Sequence, residues 1–210
     1  MKRWLLDKLL SGPARAFALV SILAALAISS GEAASPSLGD QLRRGGVILV
    51  ARHAATDFSK PDQDPLDLKD CRTQRNLSAE GRRDAKRIGQ GARRLKLRIG
   101  PVLSSPFCRT LETARLAFGR ATVSLALLNT ITADHDAAWR RQIRAARRLF
   151  ASKPHAGRIT VLVTHGSVVG DVTGLTLEEG ETLVFRPLGG VRFRVLGRIL
   201  PRGWAALRSG

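Results

Sequence analysis

Val47-Ile48-Leu49-Val50-Ala51-Arg52-His53-Ala54 is the stretch on which the fold turns. Five aliphatic residues in a row, opened by Gly45-Gly46, read as a strand buried on both faces, the type found in parallel sheets. The run ends abruptly in a guanidinium and an imidazole. The same change occurs twice more. Residues 102–104 run into Ser105-Pro106-Phe107-Cys108-Arg109, and residues 159–164, bounded by Gly157 and Gly166, run into His165-Gly166-Ser167. Ligands of an open parallel sheet bind beyond the carboxyl ends of its strands, so the pattern predicts two His and two Arg along one edge. Two guanidiniums can grip phosphoryl oxygens bidentately, and an imidazole between them can attack phosphorus.

The segments between these strands supply the rest of the architecture. Residues 35–44 read as a polar lead-in, and residues 56–73, rich in Asp, Pro and Lys, as a long loop. Ser78 opens a helix as its N-cap, with Glu80 in the first turn, where a carboxylate suits the dipole. Ala85, Ile88, Ala92 and Leu95 form its buried stripe. A second helix is expected over 110–118, an extended segment over 122–128, and a basic helix over 137–150 with Trp139, Ile143, Ala146 and Phe150 on one face. Residues 182–185 and 191–195 read as closing strands. The alternation predicts one α/β domain over 34–210, three-layered, with a largely parallel sheet and helices on both faces.

The first 33 residues are set apart. Lys2, Arg3, Lys8 and Arg15 precede an apolar run over 16–28, and Gly31 and Ala33 provide small residues for cleavage. This pattern is a secretory signal, with an uncleaved anchor as the alternative, so the mature chain is expected in the periplasm or outside the cell. The formal charge of the 210 residues is +18, and removing the signal, with four basic and two acidic residues, leaves +16. Such a field draws anions: phosphorylated substrates, or an anionic membrane surface touched peripherally. Export and an aromatic content of 5% without Tyr argue against nucleic acid.

Arg52-His53-Ala54 resembles the Arg-His-Gly signature of the histidine phosphatase superfamily, in its phosphoglycerate mutase-like branch. Leu103-Ser104-Ser105-Pro106-Phe107-Cys108-Arg109-Thr110-Leu111-Glu112-Thr113-Ala114 is similar to the second signature, Val163-Thr164-His165-Gly166 to the third, and Asn76-Leu77-Ser78-Ala79-Glu80-Gly81 to the block that opens the intervening helix. The likeness extends over residues 45–200 in the family's order. It implies that His53 is the transiently phosphorylated nucleophile and that Arg52, Arg109 and His165 form the phosphate pocket. It also implies substrate contacts from Thr56 and Ser59, and a reaction needing no metal or organic cofactor.

The chain departs from the family pattern in three places. Ala54 replaces Gly. Gly166 follows the second His, where the acid-phosphatase branch has Asp or Glu. No Glu lies between Glu112 and His165, the interval in which mutases carry their acid. Glu181 and Asp134 are the candidates for protonating the leaving group, with Glu181 slightly favoured. The expected activity is hydrolysis of a phosphomonoester, an envelope or extracellular small molecule or saccharide. Protein-phosphohistidine hydrolysis, which needs little leaving-group protonation, is an alternative. The rival from another class is an inactive polyanion-binding module on this fold. His135 lacks a second His at metal spacing, and Ser167 is not set as a hydrolase nucleophile. Cys108 precedes Arg109 and Cys71 closes the loop after the nucleophile, so both sulfurs are expected at one rim of the pocket and joined in a disulfide.

Overall fold

The computed structural model describes residues 36–131 and 136–208. The segment read as a signal lies outside them, as do Asp134 and His135. One six-stranded sheet organises the described residues, in the order β3-β2-β4-β1-β5-β6. Its strands are β1 (Ile48–Arg52), β2 (Ile99–Ser104), β3 (Thr122–Val123), β4 (Ile159–Thr164), β5 (Thr182–Pro187) and β6 (Phe193–Ile199). The first four are mutually parallel; β5 runs antiparallel to β1, and β6 antiparallel to β5. The aliphatic run of β1 is completely buried because it sits between β4 and β5 with helices above and below.

Alternate residues of the central strands feed two cores. Leu49, Ala51, Val161 and Val163 pack beneath α2 (Ala79–Arg94) and α3 (Cys108–Phe118), with Trp204 completing the layer. Ile48, Val50 and Leu162 meet α4 (Ala137–Phe150) and α5 (Gly166–Thr173) on the opposite face. This is the three-layer α/β arrangement expected.

Four local readings change. Leu38–Arg44 is a helix, α1, rather than a plain lead-in: Ser37 Oγ accepts from Asp40 N at 3.1 Å, and Leu42 is buried under the sheet. Two turns carry too few apolar positions to display a period. Of residues 122–128 only Thr122–Val123 is strand, and Leu125–Leu127 tightens into a 3₁₀ turn that buries Leu127. Gly166 and Ser167 belong to α5, whose glycines and β-branched valines are weak helix formers; burial of Val168, Val169 and Val172 overrides that preference. The last strand lies two residues later than expected, after a turn in which Gly189 and Gly190 take φ of 88° and 59°.

The end of β1 is held from three sides. His53 N donates to Thr164 O at 3.0 Å, and Gly180 N donates to His53 O at 2.8 Å. The first turn of α2 presses on the next peptide, where Ser78 caps the helix by accepting from Gly81 N at 3.0 Å. A Cβ on Gly81 would lie 1.9 Å from Ala55 O, so only glycine permits this approach.

Cys71 and Cys108, 37 positions apart in sequence, are joined in a disulfide with Cα atoms 5.7 Å apart. Closing a loop of that size contributes about 2–4 kcal/mol, chiefly by restricting the unfolded chain. Gln74 Oε1 accepts from Cys108 N at 2.8 Å beside the bridge. The long loop after the nucleophile is thereby fastened to the helix that presents Arg109.

Candidate active site

Arg52, His53, Arg109 and His165 line one open cleft of about 430 Å³ at the carboxyl ends of β1, β2 and β4, as the three strand ends implied. His53 and His165 are almost fully buried, with ring centroids 5.4 Å apart and planes at 64°. His53 Nδ1 lies 3.0 Å from Ala54 O. A carbonyl only accepts, so Nδ1 carries the proton and Nε2 keeps the lone pair. His165 Nε2 meets Ser105 Oγ at 2.8 Å, and its ring stacks edge-on against Phe107.

The guanidiniums are anchored at one end and open at the other. Arg52 donates through Nη1 to Leu177 O at 2.8 Å, and its Nη2 lies 3.5 Å from Glu179 Oε1. Arg109, 1% exposed, stacks on Phe107 and donates through Nη1 to Asp62 Oδ1 at 3.0 Å. Three buried nitrogens of this cleft have no partner among the described residues: Arg52 Nε, Arg109 Nε and His165 Nδ1. Unpaired buried donors are costly, and a tetrahedral oxyanion is a ligand that would satisfy several at once.

Burial and positive surroundings keep both imidazoles neutral. Burial lowers His53 to about 3, partly opposed by its bond to Ala54 O and assisted by Arg109, Arg52 and Arg75. His165 is pushed well below the usual histidine range by burial, then by His53 and the same arginines. Neutral His53 is the form a nucleophile needs. It also ties stability to pH: between about 3 and 6.5 the unfolded state binds a proton at this position that the folded state refuses. Stability therefore rises with pH across that window, by about 1.4 kcal/mol per unit for this group. On moving from pH 7 to pH 5, wild-type protein should lose about 2 kcal/mol more than His53→Ala in denaturant unfolding. Equal losses would show that His53 titrates normally in the fold.

The remaining sequence candidates fall elsewhere. Glu181 is engaged by its neighbours: Arg198 grips both its oxygens at 2.6 and 2.8 Å, and Oε2 also accepts from Glu178 N at 2.9 Å. Those bonds, Arg198 first, lower its carboxyl below the usual range and hold it as an anion with no proton to give. Ser59 is solvent-exposed and donates to its neighbour Asp57 at 2.6 Å. Thr56 does not line the cleft but turns onto Glu179, donating from Oγ1 at 2.8 Å and from N at 3.1 Å. Asp134 lies outside the described residues.

Three residues join the site that the strand ends did not reveal. Glu179 bridges Thr56 and Arg52, with Oε1 3.8 Å from His53 Nδ1. Asp62 holds Arg109, and Arg75 lines the cleft. The cluster Glu178-Glu179-Gly180-Glu181 was the only signal for the first; nothing periodic marks the others. Among the described residues no group of three or more His, Cys, Asp or Glu suits a metal ion.

A largely parallel α/β sheet with two neutral imidazoles set among arginines at its carboxyl edge suits an enzyme that handles an oxyanion such as phosphate. In this chain residues 48–133 match the family model of the histidine phosphatase superfamily (branch 1). Its fold is similar to the product of open reading frame Rv3214 from Mycobacterium tuberculosis: 20% identity, TM-score 0.53, covering 73% of this chain and 97% of that one. It is also similar to the mycobacterial glucosyl-3-phosphoglycerate phosphatase Rv2419c, at 19% identity and TM-score 0.51, over 73% and 98% of the two chains. The protein histidine phosphatase SixA, solved with tungstate, aligns at 15% identity and TM-score 0.52, over 74% and 97%. At these identities the likenesses establish the fold. No curated protein matches the chain.

Proposed function

We propose that this phosphatase hydrolyses phosphomonoesters through a phosphohistidine at His53 Nε2. The observation that carries the reading is the set of unpartnered buried nitrogens on Arg52, Arg109 and His165 beside a neutral nucleophile. His53 Nε2 forms a bond to phosphorus as the ester P–O bond breaks, and Arg52, Arg109 and His165 offset charge on the equatorial oxygens. The leaving oxygen takes a proton from a carboxylic acid. Water then attacks phosphorus, returning a proton to that carboxylate and releasing inorganic phosphate and neutral His53. With Glu181 bound by Arg198, the acid role goes to Asp134, which follows the cleft-lining Ile131 by three positions.

A substrate of the cell envelope or exterior, a phosphorylated small molecule or saccharide, agrees with the N-terminal signal pattern, the disulfide and the basic surface. Among the described residues no helix is long and apolar enough to cross a membrane. A second reading, hydrolysis of protein phosphohistidine, is favoured by one observation: the described carboxylates around the cleft, Glu179 and Asp62, are each held by an arginine. A phosphoramidate leaving group needs little help from an acid.

Phosphate release from a panel of phosphomonoesters and a phosphohistidine peptide tests both. Esters should be turned over, and Asp134→Asn should slow them by about 10²-fold or more while sparing the phosphoramidate. No release from any compound would remove the phosphatase reading and leave the polyanion-binding one.

A further inference from the structure

The segments that lead into the strands share one sign of charge. β1 to β4 are mutually parallel, so their first residues lie along one edge of the sheet, opposite the cleft. The turn between β5 and β6 falls at the same edge, since Ile48 pairs with Phe185 and Pro187 with Phe193. Five segments therefore form this base: residues 43–47, 93–99, 118–121, 147–159 and 186–194. Together they hold fourteen Lys and Arg and no Asp or Glu. The loops at the cleft edge, 53–78 and 174–181, hold eight Asp and Glu against four Lys and Arg. Charge is thus sorted between the two ends of the sheet.

Helix dipoles account for part of the sorting, because cations suit the last turn of a helix, as at Arg44, Arg94 and Arg148. They do not account for Lys153, Arg158 and Arg194, which are exposed on a loop, a strand entry and a hairpin. Where arginines of the base bond, the acceptors are neutral: Arg120 donates to Ile99 O at 2.9 Å and Arg147 to Val172 O at 2.8 Å. The arginine ion pairs of the described residues all lie outside the five segments. Beyond the described residues the chain has three carboxylates, Asp7, Glu32 and Asp134, too few to offset fourteen cations wherever they lie. Two aliphatic side chains interrupt the charge: Leu188 and Val191, 42% and 47% exposed, stand at the hairpin turn beside Arg192. Cations around exposed aliphatic groups match an anionic bilayer, where Lys and Arg meet headgroups and apolar side chains enter the acyl boundary. Single-stranded nucleic acid is met by stacking aromatics, but the aromatic residues of the base, Phe118, Phe150 and Phe193, are buried or half-buried.

We propose that this base docks the protein on an anionic lipid bilayer, with the cleft turned away from the lipid. The five residues of β1 put the cleft about 16 Å above the base, beyond the Debye length of about 8 Å at physiological ionic strength. Headgroups under the base and an anion in the cleft therefore do not compete for one field. The docking requires no particular chemistry in the cleft.

Amide hydrogen exchange of the full chain on vesicles tests it, and reads the base directly whether or not the apolar N-terminal run also holds lipid. The vesicles are phosphatidylcholine alone and an equal mixture of phosphatidylcholine and phosphatidylglycerol. On the mixed vesicles at low salt, exchange over residues 152–158 and 188–192 should slow by about 10-fold or more, and the protection should fade as salt rises. On neutral vesicles these amides should exchange as in the free chain. Arg148→Gln/Lys153→Gln/Arg158→Gln/Arg194→Gln, four exposed positions of the base, should bring exchange to within about 2-fold of the free chain. Lys60→Gln/Lys69→Gln/Arg83→Gln/Lys86→Gln removes the same charge away from the base and should leave the protection in place. Leu188→Ser/Val191→Ser should weaken it at 152–158 as well as at the turn. Equal loss in both quadruple variants would mean that net charge alone attracts the lipid, and would overturn the proposal. So would equal protection on neutral vesicles, no protection on either, or no effect of Leu188→Ser/Val191→Ser. Duplex DNA that protected the same amides as fully at the same salt would assign the base to a soluble polyanion and overturn it too.

Discussion

His53→Ala should lower phosphate release by about 10⁴-fold or more, the scale seen when a nucleophile that works as part of a unit is deleted. Nothing else in the described cleft can replace its Nε2. His165 has the other imidazole, but its Nε2 is already paired with Ser105 Oγ at 2.8 Å. Wild-type enzyme quenched during turnover of a labelled ester should carry label on His53, lost in acid and stable in base. Ser105→Ala and His165→Ala should slow turnover without removing that label. A His53→Ala enzyme that kept most of its activity would mean that water attacks phosphorus directly, with the arginines serving only as clamps.

Arg109→Ala is expected to cost about 10²–10³-fold in kcat/KM, the range for losing one preorganised partner of developing charge. The loss is twofold in kind. The guanidinium, whose buried Nε has no partner among the described residues, disappears, and the Asp62 carboxylate that it neutralises at 3.0 Å is left without it. Arg109→Lys should restore little, since one ammonium cannot hold Asp62 and a phosphoryl oxygen together in the geometry of a fork. Arg109→Ala/Asp62→Asn should recover part of the activity by removing that negative charge. A decrease under about 10-fold for Arg109→Ala would show that the phosphoryl group binds elsewhere.

The fold was legible because β1 and β4 are aliphatic runs that stop abruptly, and because parallel strands deliver whatever follows them to one edge. Arg52, His53, Arg109 and His165 could therefore be brought together from the chain alone. Residues carried by loops could not. Glu179 and Glu181 are two positions apart and would share a face in a continuous strand. Gly180, at φ 79°, breaks that continuity: Glu179 turns to Arg52 and Thr56, while Glu181 turns to Arg198 on β6. Arg75 and Asp62 come from a long loop whose path depends on the disulfide and on contacts with Arg109, neither of which leaves a period in the sequence. Helix α5 was hidden for the opposite reason, since its residues favour other conformations and only burial makes them helical.

The two outer strands of the sheet also bear on how the molecule behaves at high concentration. An open sheet ends in rows of unpaired peptide groups that invite another strand. On one side β3 has only two residues, too few to serve as a template. On the other, β6 is seven residues long with three of them exposed, but its register slips against β5 between Val184 and Phe185, a bulge that bends the edge. Arg192 and Arg194 stand exposed at the same margin. A second copy approaching edge to edge would bring like charges together along a bent strand. The sheet is thus closed to extension without being closed into a barrel, and this strongly basic chain is protected from fibre-like stacking by its own margins.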